Sequence, residues 1–199
     1  NLPDMVMFQD HYIQRYVADY PDVWTPLGDI DINWDDFAAE KLDYSTIDGE
    51  HYGVPVDNGT VVCAYRTDLL EQAGYTIDDL TGCTWEEFAE IGKAVYDATG
   101  KALLCMNSDG NDLPYMMMQA EGVSQFKDGK PYITENETLV TIVELLVQMA
   151  KDGTLLMPNS WSDYTDKAIQ GDQVAGVMNG NWIIPTIEKV EANSGLWEI

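Results

Sequence analysis

The chain has 199 residues, with 35 acidic and 10 basic side chains and a formal net charge of −25 at pH 7. A field of that sign repels phosphate groups, which argues against nucleic acid as a partner and disfavours anionic ligands and anionic membrane surfaces. Hydrophobic residues make up 45% of the chain, enough for a packed core. No apolar run reaches the length of about 18 residues that a membrane-spanning helix needs.

Both ends of the chain have the apolar pattern of a β-strand. The segment "PDMVMF" (3–8) lies near the start, and "GLWEI" (195–199) closes the chain. Natural domains seldom begin and end so abruptly. We therefore expect the chain to be an internal piece of a longer protein, with sequence missing on both sides.

Predicted strands and helices alternate along the chain, joined by connections of a few residues. This order is typical of an α/β fold with a largely parallel sheet. The segment "VDNGT" (56–60) is polar, contains glycine and lies between two strand-like runs, so it is the best candidate for a hinge between domains. The predicted strands are 3–8, 52–56, 60–65, 101–106, 173–178 and 195–199, and the main predicted helices are 10–20, 33–42, 67–73, 84–99, 114–121, 137–152, 160–170 and 180–193.

Two pairs of residues predict capped helix starts. Thr84 with Glu87, and Thr134 with Glu137, have the Thr-x-x-Glu spacing in which each side chain bonds the other residue's backbone N–H. Asn33 is a possible cap for the short helix that follows it. These caps predict where three of the helices begin.

The chain carries no sequence motif of a catalytic or metal centre. It has no GxSxG, P-loop or GxGxxG, and its three cysteines and two histidines lack zinc-ligand spacing. The segment "NSDGND" (107–112) lacks the glycine and closing glutamate of a calcium loop, which favours a plain turn. Acid pairs such as Asp35–Asp36 could serve a glycosidase, but adjacent acids are usually solvated surface groups. We predict no catalytic residue, no metal and no cofactor.

Four motifs in fixed order carry a family resemblance across nearly the whole chain. They are "YGVP" (52–55), "YRTDL" (65–69), "TWEE" (84–87) and "MNGNW" (178–182). Each is weak alone, but the ordered set resembles the extracellular solute-binding proteins of bacterial ABC sugar importers, the maltose-binding protein family. The resemblance implies a periplasmic-binding-protein-like fold with two α/β lobes and a ligand cleft between them. Residues 1–58 would be a remnant of the first lobe, and residues 59–199 most of the second.

The resemblance also implies which side chains bind a sugar, by stacking rings on the pyranose faces and pairing polar groups with its hydroxyls. Trp182 would stack on the ligand, although a tryptophan at a helix start can also belong to the core. Asp10 could equally be a helix cap, and Asp57 and Asn58 could simply form a turn. The predicted ligand-binding residues are Phe8, Asp10, His11, Asp57, Asn58, Asn111, Asp112, Tyr115 and Trp182.

The implied function is capture of a mono- or oligosaccharide and its delivery to the permease subunits of an ABC importer. The protein would be extracellular, either periplasmic or held at the cell surface by a lipid anchor on the missing N-terminus. Two alternatives stay open. An acidic cleft of the same fold would suit a polyamine or a metal complex, and a carbohydrate-active enzyme domain would use an acid pair.

Overall fold

The computed structural model describes residues 2–199, and their contacts divide them into two units. One unit ends at Asn58 and the other is Gly59–Ile199. The first unit contains the helices α1 (Asp10–Asp19) and α2 (Ala39–Ser45), which pack on each other. Ile13 and Val17 of α1 are buried at this contact because they recur at helical spacing on one face.

A short hairpin follows α2 in the first unit. Strands β1 (Thr46–Ile47) and β2 (Glu50–His51) pair antiparallel, and the two residues between them, Asp48 and Gly49, have φ values of 53° and 83°. Positive φ at both turn positions is the geometry that closes a tight hairpin, and Asp-Gly tolerates it well.

Three predictions for the first unit are wrong. The predicted strand 52–56 is irregular, and β2 ends before it at His51. The segment 3–8 is not a buried strand: it is irregular, and Met5 and Met7 are 90% and 85% exposed. A strand needs a partner for its backbone groups, and no described strand pairs with this segment. The predicted helix 33–42 is instead a 3₁₀ turn, Trp34–Asp36, followed by α2, and the Asn33 side chain bonds Asp36 without capping a helix.

The second unit is built on a three-stranded sheet in the order β8-β3-β9. Strand β3 (Val61–Arg66) pairs antiparallel with both β8 (Gly176–Gly180) and β9 (Trp197–Glu198). The prediction of a largely parallel sheet is therefore wrong. Among residues 2–199, parallel pairing is confined to β4 (Leu104–Cys105) with β7 (Leu155–Leu156) and to one bridge from Ala102 to Val174. The sequence predicted β3, β4, β8 and β9 close to where they lie, whereas strand direction depends on where the long connections return the chain.

Two hydrophobic clusters cover opposite faces of this sheet, because successive side chains of a strand point in opposite directions. Tyr65 and Met178 belong to one cluster, and their neighbours Ala64 and Val177 belong to the other. The first cluster packs against α5 (Trp85–Thr99), α6 (Asp112–Ala120) and α7 (Glu137–Lys151). The second packs against α8 (Ile184–Ile187) and a π-helical segment, Asp163–Ile169. The other helices of this unit are α3 (Thr67–Gln72) and α4 (Ile77–Leu80). Strands β5 (Phe126–Lys127) and β6 (Lys130–Pro131) pair as a small antiparallel ribbon.

Of the caps predicted for the two long helices, one is confirmed and the other is wrong. At α5 the predicted capping box is confirmed: Thr84 Oγ1 accepts from Glu87 N at 3.2 Å, and Glu87 Oε2 accepts from Thr84 N at 2.8 Å. At α7 the predicted box of Thr134 is wrong. Asn136 caps this helix, because its Oδ1 accepts from Leu139 N while its Nδ2 donates to the Ser124 carbonyl.

The predicted helix 180–193 is broken into three short pieces. These are a 3₁₀ turn (Asn181–Ile183), α8 and a second 3₁₀ turn (Glu191–Asn193). Pro185 fits the first turn of α8 because proline lacks the N–H that a residue further inside the helix would donate. The break leaves the residues just after β8 at the surface.

Candidate functional site

Trp182 lies at the end of β8, where the chain leaves the sheet. All five residues of β8 are buried, but Trp182 is 45% exposed. Its backbone is fixed because Asn181 N donates to the Thr60 carbonyl at 2.8 Å, next to the start of β3. A Cβ atom on Gly180 would lie 2.6 Å from Trp182 Cδ1, so a larger residue here would displace the indole. The side chain is therefore a surface ring held on a rigid strand end.

A second exposed tryptophan stands beside it. Trp161 is 46% exposed, and its ring centroid lies 5.5 Å from that of Trp182 with an interplanar angle of 43°. The ring of Tyr164 stacks on Trp161, with the two ring centroids 5.1 Å apart and an interplanar angle of 28°. Together, the exposed rings of Trp161 and Trp182 form an aromatic platform in the second unit, and Tyr164 stacks on one of them. Sequence reasoning missed Trp161, although a tryptophan inside the polar segment "NSWSD" is a signal that could have found it.

The backbone that carries Trp161 is tightly fixed. Ser160 Oγ accepts from Asp163 N at 3.1 Å, and Thr165 Oγ1 donates to the Trp161 carbonyl at 3.1 Å. The π-helical segment then runs to Ile169. A Cβ atom on Gly171 would overlap the Lys167 carbonyl, so glycine permits the wide turn to close. Wide helical turns of this kind recur at functional sites.

Tyr164 supports the platform from the core. It is 2% exposed, and Asn179 Nδ2 of β8 donates to its hydroxyl oxygen at 3.0 Å. Asn179 Oδ1 accepts from Gly180 N at 2.8 Å, so one amide side chain joins the π-helical segment to the strand end. Burial raises the pKa of Tyr164, the charges of Cys105 and Asp112 act in the same direction, and the Asn179 hydrogen bond opposes them. The phenol therefore stays protonated.

Three of the predicted site residues lie on or beside α6. Asn111 precedes the helix and its side chain makes no capping bond, while Asp112 is the first helical residue. Both are exposed, and Tyr115 is 42% exposed. The Asp112 charge contributes to the raised pKa of Tyr164, after burial and the charge of Cys105.

The predicted residues of the first unit have local partners. Phe8 is half-buried against Tyr16 and Trp24, with ring centroids 5.1 and 5.3 Å away. Asp10 begins α1 and forms an ion pair with Lys41 of α2. His11 is exposed, with its ring 4.1 Å from that of Tyr12. Packing and ion pairing account for Phe8 and Asp10 within their own unit.

Asp57 and Asn58 lie in the irregular segment that ends the first unit. Both are exposed and belong to neither a helix nor a strand. Their side chains are therefore accessible for polar contacts.

The described residues also bear on metals, membranes and reactive thiols. Within residues 2–199, no group of three His, Cys, Asp or Glu side chains could hold a metal ion. In the same part of the chain, no helix combines the length and apolar character needed to cross a membrane. Burial raises the pKa of the Cys105 thiol to about 12, and burial also raises the pKa of Cys63. These two thiols are therefore poor nucleophiles at neutral pH.

The chain belongs to the bacterial extracellular solute-binding protein family, whose model matches residues 1–198. A lactose-binding protein of Rhizobium radiobacter is 35% identical over 199 residues, which is all of this chain and 47% of that protein. An arabinooligosaccharide-binding protein of Bacillus subtilis is 27% identical over 132 residues, 66% of this chain and 30% of that protein. The chain thus spans less than half the length of these curated relatives.

Solved structures show the same fold at low identity. UgpB from Mycobacterium tuberculosis, in complex with glycerophosphocholine, matches with a TM-score of 0.78 at 18% identity. The matched region is 99% of this chain and 51% of the UgpB chain. The GacH receptor of Streptomyces glaucescens has a TM-score of 0.73 at 19% identity, with coverage of 92% and 48%. The periplasmic-binding-protein-like fold expected from the sequence is confirmed.

Proposed function

We propose that this chain belongs to a protein that captures a neutral mono- or oligosaccharide, and that its aromatic platform stacks on a sugar ring. The observation that carries the proposal is the pair Trp161 and Trp182, two large rings side by side that are both nearly half exposed. Exposed rings of this size are costly in water and gain most by covering an apolar surface. The C–H face of a pyranose is such a surface.

Polar groups of the second unit suit the sugar hydroxyls. Asp112, Asn111 and Tyr115 offer carboxylate, amide and phenol groups at the exposed start of α6, and a carboxylate can accept from two hydroxyls at once. Phe8, Asp10, His11, Asp57 and Asn58 remain the proposed ligand contacts of the first unit. The mixture of rings and a few polar groups is what small-molecule sites commonly present.

The names of the relatives support a sugar as the ligand. One relative is called lactose-binding and two are called arabinooligosaccharide-binding. A net charge of −25 disfavours an anionic ligand, and a neutral sugar avoids that repulsion. We propose a binding role without catalysis, in line with a family of binding proteins.

The proposal extends to the whole protein. Residues 1–58 would be part of the first lobe and residues 59–199 most of the second, with closure of the two lobes retaining the ligand. The partners would be the permease subunits of an ABC importer. A lipid anchor would attach the protein to the cell surface.

A ligand panel tests the proposal. In the full-length protein, lactose or another neutral oligosaccharide should raise the melting temperature in a concentration-dependent way, since a ligand that binds only the folded state stabilises it. Nucleotides should give no shift. A shift with spermidine or a metal complex, and none with any sugar, would favour the alternative ligand class suggested by the acidic charge. Turnover of a chromogenic glycoside would favour an enzyme.

A further inference from the structure

Four side chains form a continuous line of contacts from the core to the surface. Asn179 donates to the Tyr164 hydroxyl at 3.0 Å, Tyr164 stacks on Trp161 at 5.1 Å, and Trp161 lies 5.5 Å from Trp182. The line begins at a side chain that is 8% exposed and ends at two rings that are nearly half exposed. A buried polar contact therefore supports an exposed aromatic pair.

Phenylalanine at position 164 would keep the ring and its packing, so what the hydroxyl adds is its hydrogen bond. A buried phenol oxygen must be hydrogen-bonded, because an unpaired one carries the cost of its lost hydration. Here the partner is an amide that also bonds Gly180 N, the residue just before the turn that carries Trp182. The hydroxyl thus fixes the Tyr164 ring relative to the end of β8.

The orientation of Tyr164 determines that of Trp161. The two rings are stacked at an interplanar angle of 28°, so rotation of the tyrosine ring would move or tilt the indole above it. Trp161 is itself 46% exposed, so contacts with neighbouring side chains cover only part of it. Without the fixed ring beneath it, Trp161 would sample several rotamers, and ordering it on binding would cost affinity.

We propose that Tyr164 is a positioning residue of the sugar site: held by Asn179, it fixes Trp161 beside Trp182 before the ligand arrives. This proposal rests on the proposed function for its effect on affinity. The geometric part, a pre-ordered indole pair, concerns the ligand-free protein and can be tested without any sugar.

The test is Tyr164→Phe in the full-length protein, which keeps the ring and removes the hydroxyl. Two ordered indoles in contact give an exciton couplet in far-ultraviolet circular dichroism, and Trp161→Phe and Trp182→Phe should each abolish it. Tyr164→Phe should weaken the couplet and lower lactose affinity about three- to tenfold, the range expected for one hydrogen bond. Asn179→Ala should weaken the couplet at least as much, because it also breaks the bond to Gly180 N. Adding Tyr164→Phe to Asn179→Ala should have little further effect, because their shared contact is already lost.

Tyr65→Phe is the matched control. Tyr65 is 5% exposed and lies in the other hydrophobic cluster, with its ring 6.4 Å from Phe88. This variant should change the melting temperature while leaving the couplet and the affinity unchanged. An absent couplet in the wild type, an unchanged couplet in Tyr164→Phe, or additive effects with Asn179→Ala would overturn the proposal. A weakened couplet with no sugar binding in any variant would support the positioning role and contradict the proposed ligand.

Discussion

Arg66 and Asp68 form a bidentate ion pair, with Arg66 Nε donating to Asp68 Oδ1 and the second terminal nitrogen donating to Oδ2, both at 2.7 Å. The Arg66 side chain is 6% exposed. Its remaining terminal nitrogen donates to Asp172, which also accepts from Lys101. This network joins the end of β3, the first turn of α3 and the turn before β8, so it fixes these two strands at the end opposite to Trp182.

Loss of one carboxylate from this network should destabilise the protein. Asp68→Asn leaves a buried guanidinium with weaker partners, and we expect the free energy of unfolding to fall by about 1–3 kcal/mol. Asp19→Asn is the control, because Asp19 pairs with Arg15 on the surface, where both side chains are more than half exposed. That change should stay within about 0.5 kcal/mol. Urea unfolding measures both, and equal effects would contradict the structural role of the network.

The same network predicts a loss of stability in acid. Hydrogen bonds from Arg66 lower the pKa of Asp68. For Asp172, burial acts to raise the pKa, but hydrogen bonds from Lys101 and Arg66 outweigh it and lower the pKa. A lowered carboxyl pKa stabilises the fold above the unfolded value of about 3.9, and this contribution is lost as the pH falls below it. Melting temperatures of Asp68→Asn should therefore fall less steeply than those of the wild type between about pH 5 and pH 3. A steeper fall in the variant would show that Asp68 is not the stabilising anion.

The cap of α7 gives a prediction with a close control. Asn136 is 3% exposed, and its amide bonds both Leu139 N and the Ser124 carbonyl. Asn136→Ala should lower the free energy of unfolding by about 1–2 kcal/mol, the usual cost of losing a helix cap. Thr134→Ala should change it by less than about 0.5 kcal/mol, since Thr134 is an exposed residue before the cap. Denaturant titration of the two variants separates them, and the reverse order would support the cap predicted from the sequence.

Two glycines near Trp182 offer a test of how the ring is placed. A Cβ atom on Gly180 would lie 2.6 Å from Trp182 Cδ1, whereas one on Gly59 would lie 3.8 Å away, an ordinary contact. Gly180→Ala should therefore displace the indole and change the fluorescence emission of Trp182. Gly59→Ala should leave that emission unchanged. An identical spectrum in Gly180→Ala would mean that the ring is held elsewhere.

Local signals in the sequence predicted the elements better than their arrangement. The capping box at Thr84 was predictable because both of its residues lie within four positions of each other. Asn136 was missed as a cap because its amide is oriented by Ser124, a contact outside the helix. The antiparallel pairing of β3 with β8 was missed for the same reason, since it depends on the path of the intervening chain.

The candidate site shows the same division. Trp182 was predicted from its motif at the end of a strand. Its neighbour Trp161 comes from a different element, and only the fold brings the two rings to 5.5 Å. Tyr164 resembles any core residue of its helix until its hydrogen bond with Asn179 is seen.

The most direct test of the account is a calorimetric titration of the full-length protein with lactose, comparing the wild type with Trp182→Ala and Trp161→Ala. Each change should weaken binding by about 1–3 kcal/mol, because each removes an aromatic surface that covers the sugar. Melting temperatures should fall little, since both rings are nearly half exposed. Trp85→Phe, which removes an indole bonded to Glu121, should leave affinity unchanged. Unchanged affinity in both alanine variants, with a large loss of stability, would assign the two tryptophans to packing and contradict the sugar-binding platform.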